Sequence, residues 1–310
     1  MIAFVFPGQG AQKVGMGRAL YEHAAVCRDT FAEADEALGE RLSQLIFEGP
    51  DERLVLTENT QPAILTGSVA AYPWLASRGL RPDFVAGHSL GEYSAHVAAG
   101  TLAFADALRI VRRRGRYMQE AVPVGTGAMA AIIGLDVEKV EQACREAAEG
   151  QVVSPANINE PAQVVIAGHA EAVTRAGLRA KALGARKVLP LNVSAPFHCA
   201  LMQPAEARLA PELRALAAHD PAVPVVANVD AEVKRTAAAS IEALVAQVSR
   251  PVRWLELVRR LASSGVRTYV EVGPGTVLSG LVQRIHDEAT TVSTERHLGQ
   301  PALEALFPAS

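Results

Sequence analysis

The chain has 310 residues, 49% of them hydrophobic, and a formal charge of -3. That length accommodates one large α/β domain, alone or carrying a smaller one, with ample apolar material for a core. The charges are interspersed, so neither the basic surface of a nucleic-acid binder nor an acidic disordered tail is indicated.

The first residues, Met1 to Gly8, include no basic leader. Their apolar run is too short for a signal sequence or a membrane span, so a cytoplasmic protein without membrane contact is expected. Three cysteines, Cys27, Cys144 and Cys199, are too few and too scattered for a disulfide framework or a zinc site. No metal or bound cofactor is expected.

Residues 2–6 are a short apolar run closed by Pro7-Gly8-Gln9-Gly10, which predicts a buried strand ending in a tight glycine loop. Over 61–76, Ile64, Leu65, Val69, Tyr72 and Leu75 recur at helical spacing. Phe84-Val85-Ala86 then begins a second strand that runs straight into Gly87-His88-Ser89-Leu90-Gly91, and 92–99 is helix-compatible. A G-x-S-x-G segment between a strand and a helix is the setting of a nucleophile elbow. The sharp turn strains the serine backbone and stands its hydroxyl at the carboxyl end of a sheet, while the glycines leave room for the turn to close. Strand, helices and strand predict a mainly parallel sheet covered on both faces, in a large α/β-hydrolase-like domain.

The pattern changes over 127–193. Strands are expected at 129–135, 152–153, 163–167 and 187–193, with helices at 137–148 and 171–183. The order β-α-β-β-α-β is the ferredoxin-like arrangement. It predicts a small domain inserted at 127–193 into a large one made of 1–126 and 194–310, with a ligand cleft between them. Beyond it come a helix over 200–217, a strand over 225–229 and helices over 241–248 and 254–262. A last strand is expected over 268–272, followed by Gly273-Pro274-Gly275 and a helix to Ile285.

A serine hydroxyl is a weak nucleophile until a base takes its proton, and histidine is the usual base. Of eight histidines, His88 diverges from the serine at the turn. His96 lies two helical turns on, roughly 10 Å along the axis. His198 and His169 each follow a predicted strand, and the residues alone leave these two on equal footing. Cys199 adjoins His198, but adjacent side chains rarely meet. Asp106 and Asp136, the only aspartates between Ser89 and either histidine, each begin a helix, where capping or first-turn duty explains them. A Ser-His dyad is therefore expected, its histidine oriented by something other than a carboxylate.

Over 105–120 five arginines share a helix. Arg114 has Ile110 and Val111 before it and Tyr117 and Met118 after it at helical spacing, which sets it in the apolar stripe, while Arg112 and Arg116 stack on another face. A guanidinium among apolar groups needs an anion. A substrate carboxylate and a structural Asp or Glu are both open as that partner.

Taken together, Phe6-Pro7-Gly8-Gln9-Gly10, Gly87-His88-Ser89-Leu90-Gly91-Glu92-Tyr93, Arg114-Gly115 and Ser194-Ala195-Pro196-Phe197-His198 resemble the malonyl-CoA:acyl carrier protein transacylases of bacterial type II fatty acid synthesis. Thr60-Gln61-Pro62-Ala63, the stretch from Gln163 to Gly168 and Glu271-Val272-Gly273-Pro274-Gly275 add to the likeness, which spans essentially the whole chain. The resemblance implies that Ser89 is malonylated, that His198 is its base and that Arg114 binds the malonyl carboxylate. It also implies an oxyanion hole made of the Gln9 and Leu90 amides, and a histidine oriented by the Gln247 main-chain carbonyl. Phe197 occupies a position where related acyltransferases that favour malonyl carry Phe, which implies an unbranched pocket. The implied substrates are malonyl-CoA, a CoA thioester, and the phosphopantetheine thiol carried by acyl carrier protein. Acidic carrier proteins of this kind would be steered by exposed Arg112, Arg113 and Arg116. A monomer is expected.

Rivals within the same chemistry are a free-standing acyltransferase of a polyketide synthase and the transacylase subunit of a malonate decarboxylase. A serine esterase and an inactive carrier-protein docking module are rivals of other classes.

Overall fold

Strands that are apolar on both faces bury both faces, and the first strand already has this character. Phe4 and Phe6 enter one core cluster while Ala3 and Val5 enter another on the opposite side. The computed structural model of the chain describes residues 1–308. Its larger sheet contains β1 (Ile2–Phe6), β2 (Phe84–Gly87), β7 (Val225–Val226), β8 (Val233–Lys234), β9 (Thr268–Glu271) and β10 (Thr290–Ser293), ordered β10-β9-β1-β2-β7-β8. All neighbours are parallel except β8, which returns antiparallel on β7. The helices Ala25–Leu38, Thr57–Ser77 and Phe104–Glu120 cover the Phe4 face. Trp254–Ser263 and Val277–Ile285 cover the other. Burial on both sides is what a mainly parallel sheet requires, and it leaves the strand ends free to carry chemistry.

The second sheet contains β3 (Gly127–Ile133), β4 (Val153–Glu160), β5 (Gln163–His169) and β6 (Lys187–Pro190), ordered β4-β5-β3-β6 and antiparallel throughout. Ala130, Ile132, Val164 and Ile166 pack under the helices Val137–Ala147 and Ala170–Ala182 in a core of their own. Met129, Ala131, Val165 and Ala167 alternate to the opposite face and join the large cluster. That period of two places one side of the small sheet over the carboxyl end of the larger one.

Several elements differ from expectation. The short strand expected at 152–153 runs on to Glu160, through Pro155, Asn157 and Asn159. Such residues disfavour strands, and the ladder accommodates them with irregularities between Pro155 and Asn157 and between Ile158 and Glu160. Its outer edge is also held: Ile158 N–H donates to Val252 O at 2.9 Å and Val252 N–H to Ala156 O at 2.8 Å. The strand expected over 225–229 stops at Val226, because Ala227 begins a turn that Ala231 N–H closes at 3.1 Å. The strand at 268–272 is not the last, since β10 pairs beside it as an edge. The strand expected over 187–193 ends at Pro190. The helix expected over 200–217 divides into a single tight turn, Ala200–Met202, and Gln203–Arg214.

At the elbow, strand, turn and helix approach so closely that a side chain is excluded at two positions. A Cβ on Gly87 would lie 1.9 Å from the Gly91 carbonyl carbon, and one on Gly91 would lie 2.0 Å from Phe6 O. The turn closes only because both residues are glycine.

Candidate active site

Ser89 lies two residues beyond β2, with φ at 52°, a left-handed conformation that costs a non-glycine residue about 1–3 kcal/mol. Its Oγ lies 2.7 Å from His198 Nε2. His198 itself has φ 61° and is buried, and its Nδ1 lies 2.9 Å from the main-chain oxygen of Gln247. A carbonyl oxygen only accepts, so Nδ1 carries the proton and Nε2 presents its lone pair to the serine. Burial first, and then the Arg114 charge, push His198 down to about 3. The imidazole is therefore neutral, and the base is ready, throughout the physiological range.

That state fixes the sign of a pH effect. A general base works when unprotonated, so a depressed pKa extends activity toward acid. The kcat/KM for acyl transfer is expected to stay flat from pH 8 to about pH 5, with no limb at the ordinary histidine value near 6.5. Initial rates at subsaturating thioester across that range check this. A limb centred near 6.5 would mean that the His198 environment is far more polar than the structure has it.

The other histidines have other partners. His169 Nδ1 accepts the Val152 N–H at 2.9 Å, a contact between β4 and β5, and His88 Nε2 pairs with Asn159 Oδ1 at 2.9 Å. His96 is wholly buried. Asp136 caps its helix by accepting from Lys139 N–H at 2.9 Å, and Asp106 pairs with Arg109 at 3.1 Å. Cys199 is buried, its thiol donating to Pro196 O at 3.1 Å.

Arg114 is 1% exposed, yet every acceptor it reaches is neutral. Its Nη1 donates to Gln61 Oε1 at 2.9 Å; its Nη2 donates to Gln247 Oε1 at 2.9 Å and to Ser89 Oγ at 3.1 Å. The Tyr93 ring lies 5.4 Å from the guanidinium carbon. The Gln247 side chain joins this charge to a buried acid, because its Nε2 donates to Glu92 Oε2 at 2.7 Å and to Ser89 O at 2.9 Å. Burial pushes the Glu92 carboxyl up to about 7. Among the described residues no carboxylate bonds Arg114 directly, and the nearest buried acid, Glu92, reaches it through the Gln247 side chain.

Ser89, His198, Arg114 and Gln61 line a cavity of about 310 Å³ that also touches Gln9 and Gly10 from the larger sheet's loop and Met129 from the smaller sheet. Phe197, mostly buried, forms part of its wall. The Gln9 and Leu90 amides have no hydrogen-bond partner among the described residues, and Leu90 stands at the start of the helix Gly91–Ala98. Unpaired N–H groups there can hold a negative oxygen.

The arginines expected to be exposed differ from that reading in part. Arg113 and Arg116 are both exposed, Arg113 with an ion pair to Glu212 at 2.6 Å. Arg112 is largely covered and paired with Glu40, with a further bond to Asn59 Oδ1 at 3.0 Å. Those partners, Glu40, Asn59 and Glu212, are distant in the chain and invisible in the arginine spacing. Sequence reasoning also gave no role to Gln61, Glu92, Asn228 or the Gln247 side chain. Gln61, in Thr60-Gln61-Pro62-Ala63, Glu92, after the elbow, and Gln247, through its main-chain carbonyl, stood in stretches that carried a signal; Asn228 did not.

A serine beside a neutral histidine, under unpaired amides and beyond the carboxyl end of an interior strand, is the equipment of an acyl-transferring enzyme, and a family model described as an acyl transferase domain matches residues 3–306. The malonyl CoA-acyl carrier protein transacylase of Escherichia coli (strain K12) is 56% identical over 289 residues, which are 93% of this chain and 94% of that protein. A solved acyl carrier protein S-malonyltransferase from Vibrio cholerae superposes with a TM-score of 0.95 at 48% identity, covering 98% of this chain and 99% of that one. A malonyl-transacylase solved in complex with its type II PKS acyl-carrier protein has the same TM-score, 0.95, at 48% identity, with 99% and 98% covered. The chain belongs to the malonyl-CoA:acyl carrier protein transacylase family.

Proposed function

We propose that this protein moves the malonyl group from malonyl-CoA to the phosphopantetheine thiol of acyl carrier protein, in two half-reactions through a malonyl ester on Ser89. The observation that carries the malonyl assignment is Arg114: a buried cation 3.1 Å from the Ser89 hydroxyl, bonded only to neutral acceptors. A dicarboxylic half-thioester supplies the missing anion at the reacting centre.

In the first half-reaction His198 Nε2 takes the Ser89 proton as Oγ attacks the thioester carbon. The Gln9 and Leu90 amides hold the oxyanion, and collapse expels the CoA sulfur, which recovers the proton from His198. In the second, the pantetheine thiol gives its proton to His198 and its sulfur attacks the malonyl ester; Ser89 leaves with that proton. The Gln247 carbonyl keeps Nδ1 protonated throughout. Phe197 narrows the wall for an unbranched acyl group. No bound cofactor has a part in these steps. Among the described residues no cluster of His, Cys, Asp or Glu offers a metal site, and no helix is long and apolar enough to cross a membrane. We assign the protein to the cytoplasm, where CoA thioesters are made and used.

The division into a catalytic domain, 1–126 and 194–310, and an inserted small domain, 127–193, is part of the proposal. The separate sheet and separate core of the inserted stretch support it. Fatty acid synthesis is the pathway we favour. A polyketide pathway is the second reading, and the neighbour bound to a type II PKS carrier protein favours it.

Intact mass after brief exposure to malonyl-CoA, followed by acyl carrier protein, tests the reading. A malonyl adduct is expected that disappears as malonylated carrier protein forms. An adduct that decays to free malonate whatever carrier is present would make the protein a hydrolase. No adduct at all would leave an inactive docking module.

A further inference from the structure

The strained serine is held by a residue that the proposed chemistry does not itself use. Asn228 lies two residues beyond β7, and the register Val85 to Val225 and Ala86 to Val226 carries it alongside the elbow. It is fully buried. Its Oδ1 accepts the Ser89 N–H at 2.7 Å, and its Nδ2 donates to the Gly87 carbonyl at 2.7 Å. Its own N–H donates to Glu92 Oε2 at 3.2 Å, and its carbonyl accepts from Arg253 N–H at 2.9 Å. One side chain thus joins the last residue of the strand to the nucleophile, and its backbone ties both to the first turn of the helix.

We propose that Asn228 is a positioning residue for the nucleophile: its amide clips the peptide groups on either side of the turn, and so fixes both the Ser89 hydroxyl and the choice of amides left free for the oxyanion. The inference rests on Ser89 being the nucleophile. A residue at positive φ persists only where its surroundings over-determine it. Here the Ser89 carbonyl is held by Gln247 and by the helix, while among the described residues the Ser89 N–H has Asn228 alone. A planar carboxamide accepts at its oxygen from one peptide group while its nitrogen donates to the next. With the Ser89 N–H engaged, the next amide along, Leu90, and that of Gln9 across the loop are the ones left unpaired. Without the clip, a buried N–H loses its partner and the turn is free to relax toward ordinary φ, which carries Oγ off the 2.7 Å contact with His198.

The test uses Asn228→Ala and Asn228→Asp, the latter isosteric and keeping the acceptor but not the donor. Displacements of about 1 Å at a reacting group cost roughly 10²-fold in rate. In both variants kcat for malonyl transfer is expected to fall by about that factor while KM for malonyl-CoA stays within about 3-fold. The rate of Ser89 labelling by a small uncharged fluorophosphonate, which needs the serine and the oxyanion amides but not Arg114, should fall in parallel. Cooperative thermal unfolding establishes that each variant is folded; if Asn228→Ala is not, Asn228→Asp carries the same comparison. A folded variant that labels within about 3-fold of the parent, or one whose loss is confined to KM, overturns the proposal. Failure of both to fold also overturns it, since Asn228 is then a residue of the fold and not of the site. Ser89→Ala run alongside separates the two ideas, because a probe that still labels that variant refutes the nucleophile and not the clip.

Discussion

Ser89→Ala is expected to remove the malonyl-enzyme adduct entirely and to lower transfer by about 10⁴- to 10⁶-fold. The size of the effect follows from the geometry. His198 contacts the serine oxygen directly, and among the described residues no second nucleophile stands at the site: the neighbouring Cys199 is buried, its thiol is turned to Pro196 O at 3.1 Å, and burial pushes it up to about 11. What survives is the contribution of the cavity and the oxyanion amides, which can still orient the thioester for attack by the pantetheine sulfur with His198 as base. Removing the methylene-bound oxygen leaves a small space beside the Arg114 Nη2 that it accepted from, so the fold should be unaffected. Intact mass and carrier-protein malonylation, measured together over minutes to hours, check both halves of the expectation. A malonyl adduct that forms on the variant at the parent's rate would move the nucleophile elsewhere.

The elbow was readable because its chemistry is local. A glycine on each side of Ser89, an apolar strand before and a helix-compatible run after are properties of neighbours in the chain. The Arg114 stripe was readable for the same reason, since helical spacing alone put the guanidinium among Ile110, Val111 and Met118. What spacing withheld was the partner, and the structure answers with Gln61 and Gln247, which are 53 and 133 residues away. His198 and His169 stood level on the residues alone. His169 ends β5 and His198 comes after β6, strands of one sheet, and what separates them is the chain beyond Pro190, which carries His198 to the elbow while His169 stays bonded to Val152. Asn228 gave no signal because its role depends on β7 lying beside β2, a pairing between segments about 140 residues apart. The extension of β4 through Pro155, Asn157 and Asn159 was hidden differently, since local propensity opposes it. Contacts from Val252 on one side and β5 on the other override that propensity, and the same departure sets Asn159 against His88.

Arg114→Ala should change the choice of acyl group more than the capacity to transfer one. Truncating one partner of a buried, hydrogen-bonded charge pair typically costs about 2–5 kcal/mol, which is roughly 30- to 5,000-fold in kcat/KM. That loss applies only to a substrate that supplies the other charge, as malonyl does and acetyl does not. For acetyl transfer the same substitution works in two opposed directions. It removes a donor from the Ser89 oxygen, but it also removes a positive charge that holds His198 down, so the base becomes stronger. The acid limb of the pH profile should accordingly move toward higher pH in the variant, because a histidine freed of a neighbouring cation protonates more readily. Malonyl transfer is therefore expected to fall by at least an order of magnitude more than acetyl transfer. Parallel kcat/KM values for malonyl-CoA and acetyl-CoA, each with the same carrier protein, measure that ratio. Equal losses would make Arg114 a structural cation whose neutral partners, Gln61 and Gln247, suffice for it. A large shift in the ratio, joined to the displaced acid limb, requires a carboxylate to meet the guanidinium beside the reacting serine.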